Sequence, residues 1–291
     1  MIKDFELFSP KTLDEALTLL SKYKDECKVI AGGQTLIQLM RQGLVATPKY
    51  IVDIKRIPEL SYIKLGKNGL RIGAATTHRT IEKSPLMKKG LKVLAEMERR
   101  LSYIQTRNWG TIGGNLCNAD PAGDPAPVLM ALKASLKKAS VRGEQSIAVE
   151  DFFLDTHKMA LEPDEILTEI SIPAARPRTG TCYEKLNIIE GHIAMIGVAV
   201  SITLKSGDGV CDDVRIALGA MGPTPMRAIK AEKVLKGVRI TDALLKKAGK
   251  TASAEARPVS DISASDEYRR EVAKVMVERV GIEALARAKK A

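Results

Sequence analysis

Val29-Ile30-Ala31-Gly32-Gly33-Gln34-Thr35-Leu36 carries an apolar run into a glycine pair and out again into a helical pattern. Cys27 to Ala31 is short and apolar, as a buried strand is. Leu36, Leu39 and Met40 then recur at helical spacing until Gly43 ends the segment, and Tyr50-Ile51-Val52-Asp53-Ile54 forms a second strand. Upstream, Thr12-Leu13-Asp14-Glu15 opens a helix with a capping box, in which the Thr12 hydroxyl and the Glu15 carboxylate can satisfy orphan amides reciprocally. Leu13, Ala16, Leu17 and Leu20 follow on one face. The opening fifty-odd residues therefore make a β-α-β unit with glycines at the strand-to-helix turn.

Downstream, short strands are expected around Tyr62-Ile63 and Leu70–Ile72, and helices near Thr77–Glu82 and Gly90–Arg100. Trp109-Gly110-Thr111-Ile112-Gly113-Gly114-Asn115 is too glycine-rich for regular structure, and Pro121, Gly123, Pro125 and Pro127 predict a loop after it. Ile166, Thr168, Ile170 and Ile172 alternate as a period-two strand ended by Pro173. Ala174 to Thr179 has linker composition. Three strands follow, Thr181–Leu186, Ala194–Leu204 and Val210–Leu218, with Gly207-Asp208-Gly209 as a hairpin turn between the last two. After Pro225 the chain is helical, with Val272, Val275, Met276 and Val280 forming one apolar face. The pattern is α+β, with a boundary near residue 175.

Two glycine loops stand out as chemistry: Ala31-Gly32-Gly33-Gln34-Thr35 and Thr111-Ile112-Gly113-Gly114-Asn115. Glycine lets a backbone approach closely and adopt positive φ, so each loop can present consecutive amides to an anion. The first also stands at a helix start, where orphan amides favour a phosphate. Two such loops suit a pyrophosphate gripped from both sides; each is equally readable as a tight turn. Neither matches G-x-G-x-x-G or the P-loop, which disfavours a Rossmann dehydrogenase and a nucleoside-triphosphate hydrolase.

The same loops resemble those of the FAD-binding (medium) subunits of molybdenum hydroxylases, the xanthine dehydrogenase and carbon monoxide dehydrogenase family. Val29 to Leu36 resembles the family's first flavin loop. Arg107-Asn108-Trp109-Gly110-Thr111-Ile112-Gly113-Gly114-Asn115-Leu116, with Asp120-Pro121-Ala122-Gly123-Asp124, resembles the second and is the most specific element. Glu165-Ile166-Leu167, Ile172-Pro173, Tyr183-Glu184-Lys185-Leu186 and Gly222-Pro223-Thr224-Pro225-Met226-Arg227 extend the likeness over nearly the whole chain. The resemblance implies a two-subdomain FAD-binding fold of the vanillyl-alcohol-oxidase/PCMH type over residues 1–174, with subdomains of about 1–55 and 56–174. It also implies a C-terminal domain over 178–291, with a three-stranded antiparallel sheet and helices. Carried over residue by residue, Val29, Ile30, Ala31, Gly32, Gly33, Gln34, Thr35, Leu36, Thr111, Ile112, Gly113, Gly114 and Asn115 would bind the FAD pyrophosphate and ribityl chain. Asp124 would accept a hydrogen bond from a cofactor hydroxyl, Leu167 or Thr168 would touch the flavin through backbone, and Lys185 would lie near the isoalloxazine. No covalent link to FAD is implied.

The family's function implies that electrons arrive singly from [2Fe–2S] clusters on a small subunit and leave through FAD, to NAD or another acceptor. A molybdenum-binding large subunit would oxidise the substrate, and the assembly would be a dimer of heterotrimers. The sequence departs from the branch that carries a four-cysteine insertion, having only Cys117 there, so no cluster is expected on this chain. Leu186-Asn187-Ile188-Ile189-Glu190-Gly191-His192 lacks the basic residues of many relatives, which leaves the electron acceptor open.

Four cysteines, Cys27, Cys117, Cys182 and Cys211, are too scattered for a zinc or iron–sulfur site and read as free thiols. The formal charge is +11, but aromatics are only 4% and basic residues alternate with acids, as in Glu96 to Arg100. A lysine-rich solvated surface suited to an acidic partner subunit fits better than nucleic-acid binding. No apolar run is long enough for a membrane span, and the N-terminus lacks a signal-peptide pattern, so a cytoplasmic location is expected. By itself Lys185 reads as a solvated edge lysine, Trp109 as a packing residue, and His192 as either a flavin neighbour or a buried structural histidine. His78 and His157 show no metal partners. Asp120 and Asp124 read as turn and hydroxyl-binding residues rather than an acid–base pair. The rival functions are a self-contained FAD oxidoreductase of the same superfamily, which needs a proton donor and substrate domain not visible here, and a basic nucleic-acid-binding protein.

Overall fold

The computed structural model describes residues 2–88, 91–205 and 209–291. The first unit contains β1 (Glu6–Phe8), α1 (Leu13–Tyr23), β2 (Cys27–Ile30), α2 (Leu36–Gln42) and β3 (Tyr50–Asp53). Its three strands are all parallel, in the order β1-β3-β2. Ala16, Leu17 and Leu20 of α1 are buried with Cys27 and Val52 of the sheet, as the spacing predicts. The Thr12 hydroxyl accepts from the Glu15 amide at 3.2 Å, while the Glu15 carboxylate reaches one residue further back, to the Lys11 amide at 2.7 Å. β1 is absent from the sequence reading; three residues are too few to show a period.

The second unit runs through β4 (Ile63–Gly66), β5 (Gly69–Gly73), α3 (His78–Lys83), α4 (Lys92–Arg100), α5 (Ile104–Trp109), α6 (Ile112–Asn118) and α7 (Pro125–Ala131). It closes with β6 (Ser135–Ser140), β7 (Gly143–Ala148), α8 (Val149–Phe152), β8 (Phe153–Asp155), β9 (Lys158–Met159) and β10 (Ile166–Pro173). The five-stranded antiparallel sheet is ordered β4-β5-β10-β6-β7. Two expectations are corrected here. The second glycine loop is not irregular, because Thr111 caps α6 by accepting from the Gly114 amide at 3.0 Å. The prolines do not hold a loop open either: Pro125 stands at the first position of α7, where its missing N–H costs nothing, and Pro127 lies in the first turn.

The C-terminal unit contains β11 (Thr179–Leu186), β12 (Ile196–Leu204), β13 (Cys211–Gly219), β14 (Met226–Arg227), α9 (Ile229–Leu235), α10 (Asp242–Glu255) and α11 (Asp266–Lys290). The three predicted antiparallel strands are present, and the two-residue β14 adds an edge beside β13. Gly207 and Asp208 of the expected hairpin turn lie outside the described residues, as does Gly90. All nine residues of β12 are buried, because both faces of the sheet are covered. Val198, Val200 and Ile216 pack with Ala248, Ala273 and Val277 of the long helices, whereas Tyr183, Ala199 and Ala217 pack with Val128 and Leu129 of α7. Of the face expected on α11, Val280 is buried, Val272 and Met276 are partly buried and Val275 is 45% exposed. The buried stripe is instead Ala273, Val277, Val280, Ala284 and Ala288. Arg287 of α11 ties this unit to α4 through Glu96 at 2.7 Å.

Candidate functional site

The first glycine loop leaves β2 at Ala31 and enters α2 at Leu36, so its backbone bends over the end of a parallel sheet. Gly33 makes the turn at φ +69°, a conformation L side chains avoid. Gly32 has no room for a side chain: a Cβ there would sit 2.3 Å from the Trp109 carbonyl oxygen and 2.7 Å from Gly110 Cα. The two glycine segments therefore touch backbone to backbone. Among the described residues, the Gly32, Gly33, Gln34 and Thr35 amides have no backbone or side-chain acceptor. A run of unpaired amides at a helix start suits an anion.

The second loop is built differently. Its amides are already used: Ile112 donates to the Thr76 carbonyl, Gly113 to Ala74, Gly114 to the Thr111 hydroxyl and Asn115 to the Thr111 carbonyl. Its glycines serve close packing, since a Cβ on Gly113 would lie 2.6 Å from Ala74 Cβ. The Ala74 amide in turn donates to the Thr168 carbonyl at 2.9 Å, which fixes α6 against β10. Pairing between β10 and β6 slips between Leu167 and Glu169, so Thr168 sits in a bulge with its hydroxyl donating to the Lys137 carbonyl at 3.1 Å.

These elements enclose a cavity of about 680 Å³, within the range of cofactor sites. Val29 through Leu36, Thr111, Gly113, Gly114, Asn115, Asp124 and Leu167 all line it. Ile112, Thr168 and Lys185 do not; Ile112 is fully buried, and the other two lie just behind the wall. Lys185 is no solvated edge lysine. Its ammonium is buried, 2.7 Å from Asp124 Oδ2 and 3.2 Å from the His192 carbonyl. Asp124 also accepts from the Tyr183 hydroxyl at 2.5 Å. Burial pushes the Asp124 carboxyl upward against the pull of Lys185 and Tyr183, and it pushes the Tyr183 hydroxyl well above its usual range.

Sequence reasoning overlooked part of the wall. Leu101, Ser102 and Thr106 line the cavity. Arg107 gathers this turn by donating to the Leu101 and Ser102 carbonyls at 2.9 and 2.7 Å, while its Nε meets Glu82 at 3.1 Å. Nothing in the local pattern marks Leu101 and Ser102, which reach the site through that arginine. Gly191, His192 and Ile193 bring the C-terminal unit to the rim; His192 is exposed rather than buried, with its ring edge-on to Tyr103. Trp109 is 54% exposed under the Lys55 ammonium, so it is not a packing residue. Among the described residues no group of three or more histidine, cysteine or acidic side chains is arranged for a metal.

A sequence model described as the FAD binding domain in molybdopterin dehydrogenase matches residues 3–175, more than half of the chain. This chain belongs to that family. A second model, described as the CO dehydrogenase flavoprotein C-terminal domain, matches residues 181–284. The glyceraldehyde dehydrogenase medium chain of Sulfolobus acidocaldarius is 35% identical over 94% of this chain and 95% of its own. The nicotine 6-hydroxylase medium subunit of Paenarthrobacter nicotinovorans is 35% identical over 96% of both. A solved carbon monoxide dehydrogenase from Hydrogenophaga pseudoflava, which lacks the Mo-pyranopterin moiety of its molybdenum cofactor, superposes with a TM-score of 0.95 at 34% identity, covering 99% of both chains. Like these relatives, the family member described here is an oxidoreductase subunit with an FAD-binding domain. Among the described residues, no helix is long and apolar enough to cross a membrane.

Proposed function

We propose that the cavity is the FAD site and that this chain is the electron-transferring medium subunit of a molybdenum hydroxylase complex. The observation that supports it most is the first loop: four consecutive amides without acceptors among the described residues, at a turn where Gly32 leaves no space for a Cβ. Such a cradle fits the FAD pyrophosphate. In this reading residues 1–174 form the FAD-binding domain and 178–291 the C-terminal domain.

The residues divide the work. Val29 to Leu36 hold the pyrophosphate from one side. Thr111, Gly113, Gly114 and Asn115 shape the opposite wall, and the Asn115 side chain rather than the loop's spent amides supplies polar contact. Asp124, locked by Lys185 and Tyr183, offers remaining lone pairs to a cofactor hydroxyl. Leu167 and Thr168 bring the bulged backbone of β10 beside the ring system, with Ile112 packing behind. Lys185 places a buried positive charge on Asp124, behind the cavity wall. Bound without a covalent link, FAD supplies a centre that accepts electrons one at a time and releases them in pairs.

The molybdenum cofactor would lie on a large subunit and two [2Fe–2S] clusters on a small one, with the complex doubled into a dimer of heterotrimers in the cytoplasm. The electrons would leave FAD to an external acceptor such as NAD. The match of residues 181–284 to a flavoprotein C-terminal domain favours this over a self-contained FAD oxidoreductase. The substrate stays open, since relatives of equal identity are named for glyceraldehyde and for nicotine. The test is reconstitution: purified chain mixed with FAD should quench flavin fluorescence at one-to-one stoichiometry, and a chain that leaves the fluorescence unchanged refutes the reading.

A further inference from the structure

His78 and Glu98 form an isolated acid–imidazole pair inside the protein. Thr77 caps α3 and places His78 at its first residue, while Glu98 stands in the last turns of α4. His78 Nδ1 lies 2.8 Å from Glu98 Oε2, and the side chains are 3% and 0% exposed. Among the described residues, buried Glu98 Oε1 has no hydrogen-bond partner. Nothing in the proposed electron path uses this pair.

The pair stands at the junction of the two glycine segments. The His78 amide donates to the Gly110 carbonyl at 3.0 Å. A Cβ on Gly110 would lie 3.3 Å from His78 Cδ2 and 3.6 Å from Gln34 Cγ, so the ring and the first loop both pack against Gly110. Among the described residues Nε2 has no protein partner. His78 lines the cavity, and its side chain is not fully sealed, with 3% exposed.

We infer that His78 Nε2 carries a proton and donates it as a hydrogen bond to a phosphate oxygen of FAD, with Glu98 as the positioning residue that keeps the ring in that form. The inference rests on the cavity being the FAD site.

Counting protons gives the reason. With two protons on the ring and none on Glu98, or one on each, the pair is electrically neutral and Nε2 bears N–H. With one proton fewer the pair carries a buried net negative charge, and Nε2 is a bare lone pair. Burial penalises the charged form strongly. The partnerless Glu98 Oε1 adds to the penalty, because no donor solvates that oxygen. The other charges in reach push the same way: Glu82 of α3 and Asp124 before α7 both disfavour negative charge on Glu98, and burial pushes the Glu98 carboxyl upward. Glu82 is itself held by Arg79 and Arg107. The neutral pair is therefore retained, and it offers a donor to the cavity that the first loop also lines. An imidazole N–H in the cavity lined by those four amides adds a further donor for an anion; a bare lone pair there would repel one.

The test compares FAD affinity of wild type, His78→Phe and His78→Gln by fluorescence titration of the full chain, with melting of each apo-protein as the folding control. His78→Phe should weaken FAD binding roughly 10- to 100-fold, the range for a hydrogen bond to a charged group. His78→Gln, which can still donate, should recover part of that loss. On wild type, ¹⁵N-histidine NMR should show His78 protonated at Nε2, with the signal moving when FAD is added and that of His157, which does not line the cavity, unaffected. Unchanged affinity in a folded His78→Phe protein, or an unprotonated Nε2 indifferent to FAD, would overturn the inference while wild-type FAD binding stands. Absence of FAD binding by wild type would instead refute the site assignment on which it rests.

Discussion

Lys185 on β11 and Asp124 before α7 meet at 2.7 Å, a buried ion pair that joins the C-terminal unit to the second unit at the cavity wall. Removing one member leaves a buried charge uncompensated, at a cost of about 3–5 kcal/mol. Lys185→Met should therefore lower the urea midpoint strongly, and Asp124→Leu should as well. The double variant should recover much of the loss. Additive losses in the double variant, measured by denaturant unfolding, would show that the pair does not act as a unit.

Gly33 and Gly32 should fail for different reasons. Gly33→Val forces a branched side chain to φ +69°, at a strain of about 1–2 kcal/mol, and presses its Cβ against the Ile37 and Ile30 side chains at 3.0 and 3.2 Å, which should turn the loop amides out of position. The apo-protein should fold and FAD content should collapse. Gly32→Ala drives a Cβ into the Trp109 carbonyl and should separate the two segments, lowering the melting temperature as well. Gly114→Val should perturb the Thr111 cap, whose hydroxyl would stand 2.9 Å from the new Cβ, and should also reduce FAD content. Normal FAD content in the Gly33 and Gly114 variants would mark both loops as ordinary turns.

The β2-α2-β3 unit was legible because its signals are local: an apolar run, a glycine pair, then helical spacing. The second loop was legible as a motif but not as a structure. Glycine propensity argues against a helix at residues 112–118, yet Thr111 caps it and the close contact of Gly113 with Ala74 holds it in place. β6 and β7 were missed because Ser135, Lys137, Lys138 and Gln145 interrupt any clean alternation. The burial of Lys185 depends on a residue 61 positions away, so no local pattern reveals it. His78 gave no functional signal, because its partner Glu98 lies on another helix and its role comes from the cavity beside it.

Like Cys27, Cys117 lines the cavity, and it stands two residues beyond Asn115 of the second loop. Although part of its surface remains open, burial pushes its thiol up to about 12, so the nucleophilic thiolate is scarce near neutral pH. Acid precipitation of the loaded protein should release all the yellow colour, and Cys117 should alkylate slowly at pH 8. Colour retained in the pellet would contradict non-covalent binding, and fast alkylation of Cys117 would contradict the raised thiol value.

The central claim is that this chain works as the FAD subunit of a larger molybdenum- and iron-containing assembly. The direct measurement is to purify the natively expressed protein by mild chromatography, weigh what elutes and assay its metals. The account predicts a co-purifying complex containing FAD, iron and molybdenum that oxidises its substrate, while the isolated chain shows at most NADH–dye activity. A lone 31.6 kDa polypeptide, free of molybdenum and iron and fully active on its own substrate, would contradict it.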